Sequence, residues 1–236
     1  MLNRRLFCQC ASLALFAGAS SESARAEPAE CAVFTPDRQK HISPNEAIAR
    51  LKAGNDRFVG GTTVNCDLMA QVRETAKKQA PFAAIVGCID SRVPPELVFD
   101  QRIGDVFCAR IAGNFINDDI IGSLEFATEV SGARAIVVLG HSSCGAIKGA
   151  IDGVRLGHLT GALAHIRPAV SATKAVGKPS SKNDAFVRAV AETNARMAAV
   201  ALTERSPILK ALAAKGELHI AAAMHDLATG RVSWLS

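Results

Sequence analysis

Phe82–Glu96 reads FAAIVGCIDSRVPPE, and Ala133–Ala146 reads ARAIVVLGHSSCGA. Each stretch is an apolar run of strand length that ends on a glycine and passes at once into polar, chemically active side chains. Neither run alternates apolar with polar residues, so both predict strands covered on two faces, as in a parallel sheet. A third run, DVFCARIA from Asp105, lies between them, and a helical stretch, DDIIGSLEFATEV from Asp118, separates it from the last. Strands alternating with helices predict an α/β fold with a mostly parallel central sheet flanked by helices.

Further helices are expected at both ends. Ser43, Pro44 and Glu46 form a helix start, with Ile48, Leu51 and Phe58 on one face and Gly60–Gly61 as the stop. A second helix is expected over about Leu68 to Lys78, and others over Ala146–Asp152, Asp184–Leu202 and Ile208–Ala214. ELHIAAAMHDLATGRVSWL, from Glu217, predicts another core strand, a turn at Thr229–Gly230 and a short closing strand. EPAECAVFTPDRQKH, from Glu27, lacks periodicity and reads as a lead-in arm, and VGKPSSKND, from Val176, as a loop. The predicted organisation is thus residues 1–26 as a leader, 27–42 as the arm and 43–236 as one domain carrying an N-terminal helical arm.

The leader has charge in NRRLF, a short apolar segment in ASLALFAGA and small residues in ARA ending at Ala26, the pattern of a cleavable export signal. Paired Arg4 and Arg5 fit a twin-arginine route and an ordinary secretory signal alike. The expected location is the periplasm. No segment is long and apolar enough to span a bilayer. Losing three arginines and one glutamate with the leader takes the net charge from +5 to +3, with no basic stripe, which excludes nucleic acid as the expected partner. Five cysteines then remain, an odd number, and Cys31 and Cys66 are free to form one bridge in an oxidising compartment.

The chemistry sits at the two strand ends. Side chains at the carboxyl ends of parallel strands line the crevice where strand order reverses, so Cys88 is expected to meet His141 and Cys144 there. Two thiolates and an imidazole suit zinc, one ion per chain, and leave a fourth position. Water in that position makes a catalytic centre, and Asp90 in it makes a closed one. Arg92 can grip both oxygens of Asp90, keeping the carboxylate ionised and off the metal. GHSSCGAIKG, from Gly140, has the glycine interval of a phosphate loop, but Ala146 stands where that loop needs lysine. Cys108 reads as core. His158, His165, His219 and His225 show no mutual metal-ligand spacing and stand as structural residues or proton carriers.

CIDSRVPPE, RIAGNF and GHSSCGAIKGA resemble the β-class carbonic anhydrases, and the similarity runs from about Ser43 to the C-terminus. The resemblance implies zinc ligands at Cys88, His141 and Cys144, a catalytic dyad of Asp90 and Arg92, and a substrate-binding glutamine at Gln79. It also implies that Ser91 and Gly145 shape the pocket, that carbon dioxide and bicarbonate are the substrates of a reversible hydration, and that the chain forms a homodimer or higher homo-oligomer. Hydrolysis of carbon disulfide or carbonyl sulfide on the same site, or a non-catalytic, zinc-stabilised bicarbonate-binding role, are the alternatives. The chain has no tyrosine, so the pocket tyrosine of some plant-type members has no counterpart.

Overall fold

The structure is a computed structural model that describes residues 29–174 and 177–235; the leader lies outside the described residues. Five strands form one sheet: β1 (Ala83–Gly87), β2 (Val106–Arg110), β3 (Ala135–His141), β4 (His219–His225) and β5 (Val232–Leu235). Their order is β2-β1-β3-β4-β5, parallel throughout except for the antiparallel closing pair β4-β5. From β1 the chain moves out to β2 and then returns to the other side of β1 as β3. The order therefore reverses between β1 and β3, and in register Gly87 pairs with Leu139.

The helices are α1 (Pro36–His41), α2 (Pro44–Val59), α3 (Leu68–Thr75), α4 (Pro95–Val98), α5 (Asp118–Glu125), α6 (Gly145–Ile151), α7 (Leu159–Ala164), α8 (Arg167–Ala172), α9 (Asp184–Arg205) and α10 (Pro207–Ala214). At the start of α2, Ser43 accepts from the Glu46 amide while Glu46 accepts from the Ser43 amide, the reciprocal cap expected from the sequence. α3 stops at Thr75, three residues short of the expectation, and DDIIGSLEFATEV passes from α-helix to a π-helical turn at Phe126–Val130.

Every residue of β1 and β3 is buried, and the two faces divide strictly by parity. Ala83, Ile85, Val137 and Leu139 pack with Leu51, Phe82, Val98 and Phe99 beneath α2 and α4. Ala84, Val86, Ile136 and Val138 pack with Leu124, Ala195, Leu202 and Leu209 beneath α5, α9 and α10. This two-sided burial is why the runs carry no polar alternation.

The arm is more ordered than its lack of periodicity predicts. Thr35 caps α1 through its hydroxyl, Pro36 opens that helix, and Phe34 sits in the core 5.1 Å from the Phe82 ring centroid. A helix of six residues is too short to show a hydrophobic period, so only its cap and proline could have marked it. Cys31 and Cys66 are joined by a disulfide, which pins the arm to the loop before α3. Gln71, buried in α3, reinforces that tie by donating to the Cys31 carbonyl.

A bridge closing a loop of this length stabilises by about 3–4 kcal/mol in the chain-entropy account. Alkylation of the unfolded, non-reduced protein is expected to label Cys88, Cys108 and Cys144 and to spare Cys31 and Cys66. Cys31→Ser with Cys66→Ser should lower the melting temperature by roughly 8–15 °C, and an unchanged melting temperature would show that the bridge adds nothing.

Candidate metal centre

The reversal between β1 and β3 sets two strand ends side by side, and each delivers its ligands by a different local device. Cys88 follows directly on β1. His141 is the last residue of β3, and Cys144 is the residue that caps α6. Between them Ser143 takes a left-handed conformation (φ 53°), which folds the chain back so that Cys144 turns toward His141. Ser142 anchors that turn, donating its amide to the His225 carbonyl and accepting the Leu227 amide on its hydroxyl.

The ligand atoms of Cys88, His141 and Cys144 all lie within 4.8 Å of one another, and all three residues are buried. The two sulfurs are 4.0 Å apart. Tetrahedral zinc with sulfur at about 2.3 Å asks for about 3.8 Å between two thiolates, so the spacing fits. The imidazole fits as well. His141 Nδ1 lies 2.9 Å from the Ser142 carbonyl, which can only accept, so the proton belongs on Nδ1. That leaves the Nε2 lone pair facing inward, and Nε2 is buried with no hydrogen-bond partner. An orphaned acceptor within 4.8 Å of two sulfurs is the polar arrangement that a cation resolves.

Electrostatics of the sulfurs agree. The Cys88 thiol is lowered, first by the hydrogen bond from Cys144, with further help from the Gly113 amide at 3.3 Å. The Cys144 thiol is pushed far up by its bond to Cys88 and by burial. Both sulfurs bind a divalent ion as thiolates, so metal binding would release the protons they carry. Cys108 stands apart, its thiol raised by burial and its side chain packed against the core, as expected.

Asp90 and Arg92 form the expected fork. Arg92 Nε donates to Oδ1 at 2.9 Å and Nη2 to Oδ2 at 2.7 Å, while the Arg92 amide also donates to Oδ1 at 3.0 Å. The guanidinium holds the Asp90 carboxyl far below the usual carboxylate range. Asp90 Oδ2 lies 3.9 Å from His141 Nε2, so the restrained carboxylate borders the cluster without joining its ligand set.

Gln79 is exposed and precedes β1, whereas Cys88 follows it. The five residues of β1 alone separate the two ends by about 16 Å, so a single chain does not bring Gln79 to the cluster. Ser91 is exposed, and Gly145 opens α6 where a Cβ would meet nothing within 4 Å. Of the five other histidines, His41 lies in α1, His158 is exposed, His165 stacks on Phe115 at 4.4 Å and His219 pairs with Asn45. His225 lies across from His141 in the β3-β4 register; it is buried, neither ring nitrogen is partnered, and burial lowers its pKa.

Sequence reasoning assigned no role to Arg110, at the end of β2. Its Nε donates to the Cys88 carbonyl at 2.8 Å and its Nη2 to the Asp90 carbonyl at 2.6 Å, so one guanidinium grips the turn that carries both ligand and carboxylate. The available signal was an arginine closing an otherwise apolar strand run. Charge-assisted bonds of this kind contribute about 1.5–3 kcal/mol each. Arg110→Ala is expected to lower the unfolding free energy by about 2 kcal/mol, read from denaturant unfolding, and to weaken metal retention about tenfold. Arg110→Lys, with a single donor head, should recover only part of both, and full recovery by lysine would refute the two-carbonyl grip.

Residues 83–232 match a family model described as carbonic anhydrase. A carbonic anhydrase of Mycolicibacterium smegmatis is 36% identical over 195 residues, covering 80% of this chain and 92% of that protein. Carbonic anhydrase 2 of Mycobacterium tuberculosis is 43% identical over 122 residues, which are 51% of this chain and 59% of that relative, so the match spans less than two thirds of its length. A Coccomyxa β-carbonic anhydrase, solved in complex with acetazolamide, superposes with a TM-score of 0.63 at 28% identity, covering 71% of this chain and 77% of that one.

Proposed function

We propose, from the premise that this chain belongs to the β class of the carbonic anhydrase family, that it catalyses the reversible hydration of carbon dioxide to bicarbonate and a proton. The observation that carries this is the buried Cys88, His141 and Cys144 cluster with an Arg92-restrained carboxylate 3.9 Å from the imidazole. A purely structural site would close with a fourth ligand and would need no restrained carboxylate.

Cys88, His141 and Cys144 would hold zinc, which when bound supplies the Lewis acidity that makes water nucleophilic near neutral pH. Asp90, with both oxygens engaged by Arg92, retains lone pairs that accept a hydrogen bond from the attacking water and aim it. Its depressed pKa makes it a poor base. Asp90 therefore orients without taking the proton, which passes to solvent. Arg92 keeps that carboxylate ionised and turned away from the metal position. Chelation should abolish carbon dioxide hydration and added zinc restore it. Asp90→Ala should lose most activity, by 10²-fold or more, with zinc still bound one per chain; unchanged turnover would remove Asp90 from the mechanism.

Gln79 takes up its substrate-binding role in this reading from a second copy of the chain. Two features support a homo-oligomer: β2 is an edge strand with no outer partner among the described residues, and Phe126, packed against Phe107 of that strand, is half exposed. Mixing Gln79→Ala subunits with Asp90→Ala subunits is expected to regain activity at one site per mixed dimer. No gain on mixing would place Gln79 in its own chain's chemistry or outside it.

The leader and the Cys31–Cys66 bridge together support export to an oxidising compartment, with the periplasm as its location. The mature protein should begin at Glu27, as read by its intact mass from the periplasmic fraction; a mass that includes residues 1–26 would contradict cleavage.

A further inference from the structure

Asn194 is the one polar residue on a buried helix face that is otherwise apolar. On α9 the neighbouring buried residues are Val187, Val190, Ala191, Ala195, Ala198 and Leu202, and Asn194 itself is 4% exposed. A carboxamide in such a place has to be matched by a hydrogen bond. Its Nδ2 donates to the Gly113 carbonyl at 2.9 Å, across 81 residues of sequence. Gly113 in turn donates its own amide to Cys88 Sγ at 3.3 Å. One α-carbon thus carries an acceptor held by α9 and a donor aimed at a ligand sulfur.

The loop between them leaves little room for another solution. Gly113 has φ 81° and Asn114 φ 43°, and the Asn114 amide closes the turn onto the Ile111 carbonyl at 2.9 Å. A Cβ at Gly113 would come within 2.5 Å of Ile166 Cδ1 and 3.1 Å of Ala146 Cβ. Glycine takes its positive φ freely, but at Asn114 the left-handed conformation costs free energy that the surrounding contacts have to offset. The Gly113 carbonyl and amide lie in adjacent peptide planes hinged at one α-carbon, so holding the carbonyl with Asn194 while the turn fixes φ at 81° restricts the line from the amide to the sulfur.

We infer that Asn194 is a positioning residue for the metal centre: it holds Gly113 so that the Gly113 amide withdraws charge from the Cys88 thiolate. A hydrogen bond to a ligand sulfur makes it a weaker donor to the ion it binds, and outer partners of this kind tune both affinity and Lewis acidity. The inference rests on the metal-centre reading above. It adds a residue on a distant helix to a site whose other parts lie at strand ends and in the turns that follow them.

Cobalt-substituted protein tests it, because the sulfur-to-cobalt charge-transfer band reports thiolate electron density directly. Asn194→Leu keeps the volume and removes the donor. The expected result is a band moved to longer wavelength, because a sulfur relieved of the amide's hydrogen bond gives up charge to the ion more readily. Ala198→Gly, on the same face of α9, serves as the control: it should lower the melting temperature and leave the band in place. If Asn194→Leu fails to fold, Asn194→Ser is read the same way, since a serine hydroxyl is too short to reach the Gly113 carbonyl. A band unmoved in the Asn194 variant that folds, or moved equally in Ala198→Gly, overturns the positioning role. A parent protein with no thiolate-to-cobalt band at all would instead refute the metal centre, and the positioning role with it.

Discussion

Parallel pairing of β1 with β3 is the constraint on which the centre depends. Those strands are not consecutive in the chain, and β2 has to cross to the far side of β1 for them to meet. Once they do, the residue after β1 and the residue ending β3 emerge at the same edge, and 56 residues of sequence separation between the two thiols shrink to 4.0 Å. Brought together in this way, two sulfurs and an unpartnered imidazole nitrogen would be unfavourable in a dry pocket, since burial penalises unmatched charge and unmatched lone pairs alike. A cation between them removes both penalties.

The surrounding groups act mainly by restricting freedom. Arg110 grips the carbonyls of Cys88 and Asp90. Arg92 fixes both oxygens of Asp90. Ser142 ties the His141–Cys144 turn to the residues that follow β4. Each contact is an ordinary hydrogen bond, yet they converge on a few ångströms of backbone. Two of the three restraints are arginines, whose planar forks engage two acceptors at once. The result is a ligand set and a carboxylate held in fixed relation by strands that are themselves buried on both faces.

Much of this was legible in the chain. The apolar runs at Ala83 and Ala135 predicted covered parallel strands because no alternation interrupts them, and the capping residues Ser43 and Glu46 marked α2 to within a residue. Cys88, Asp90 and Arg92 stand at alternate positions in one turn, and His141 and Cys144 in another, so local spacing disclosed what each turn could offer. Less visible were α1, too short for periodicity, and Arg110, whose target is a pair of backbone carbonyls that leave no trace in side-chain pattern. Gln79 shows the limit from the other side. Its resemblance to a substrate-binding residue survives in the sequence, while the strand between it and Cys88 leaves it at the opposite end of β1.

The sequence alone determined the kinds of ligand, the restraint on the carboxylate and the two-sided burial of the strands, because each is encoded within a few neighbouring residues. Tertiary structure alone decided that Gly113 reaches Cys88, that Asn194 reaches Gly113, and that Arg110 spans the turn. Those contacts join segments separated by tens of residues, and their geometry comes from how strands and helices pack, which no local spacing specifies.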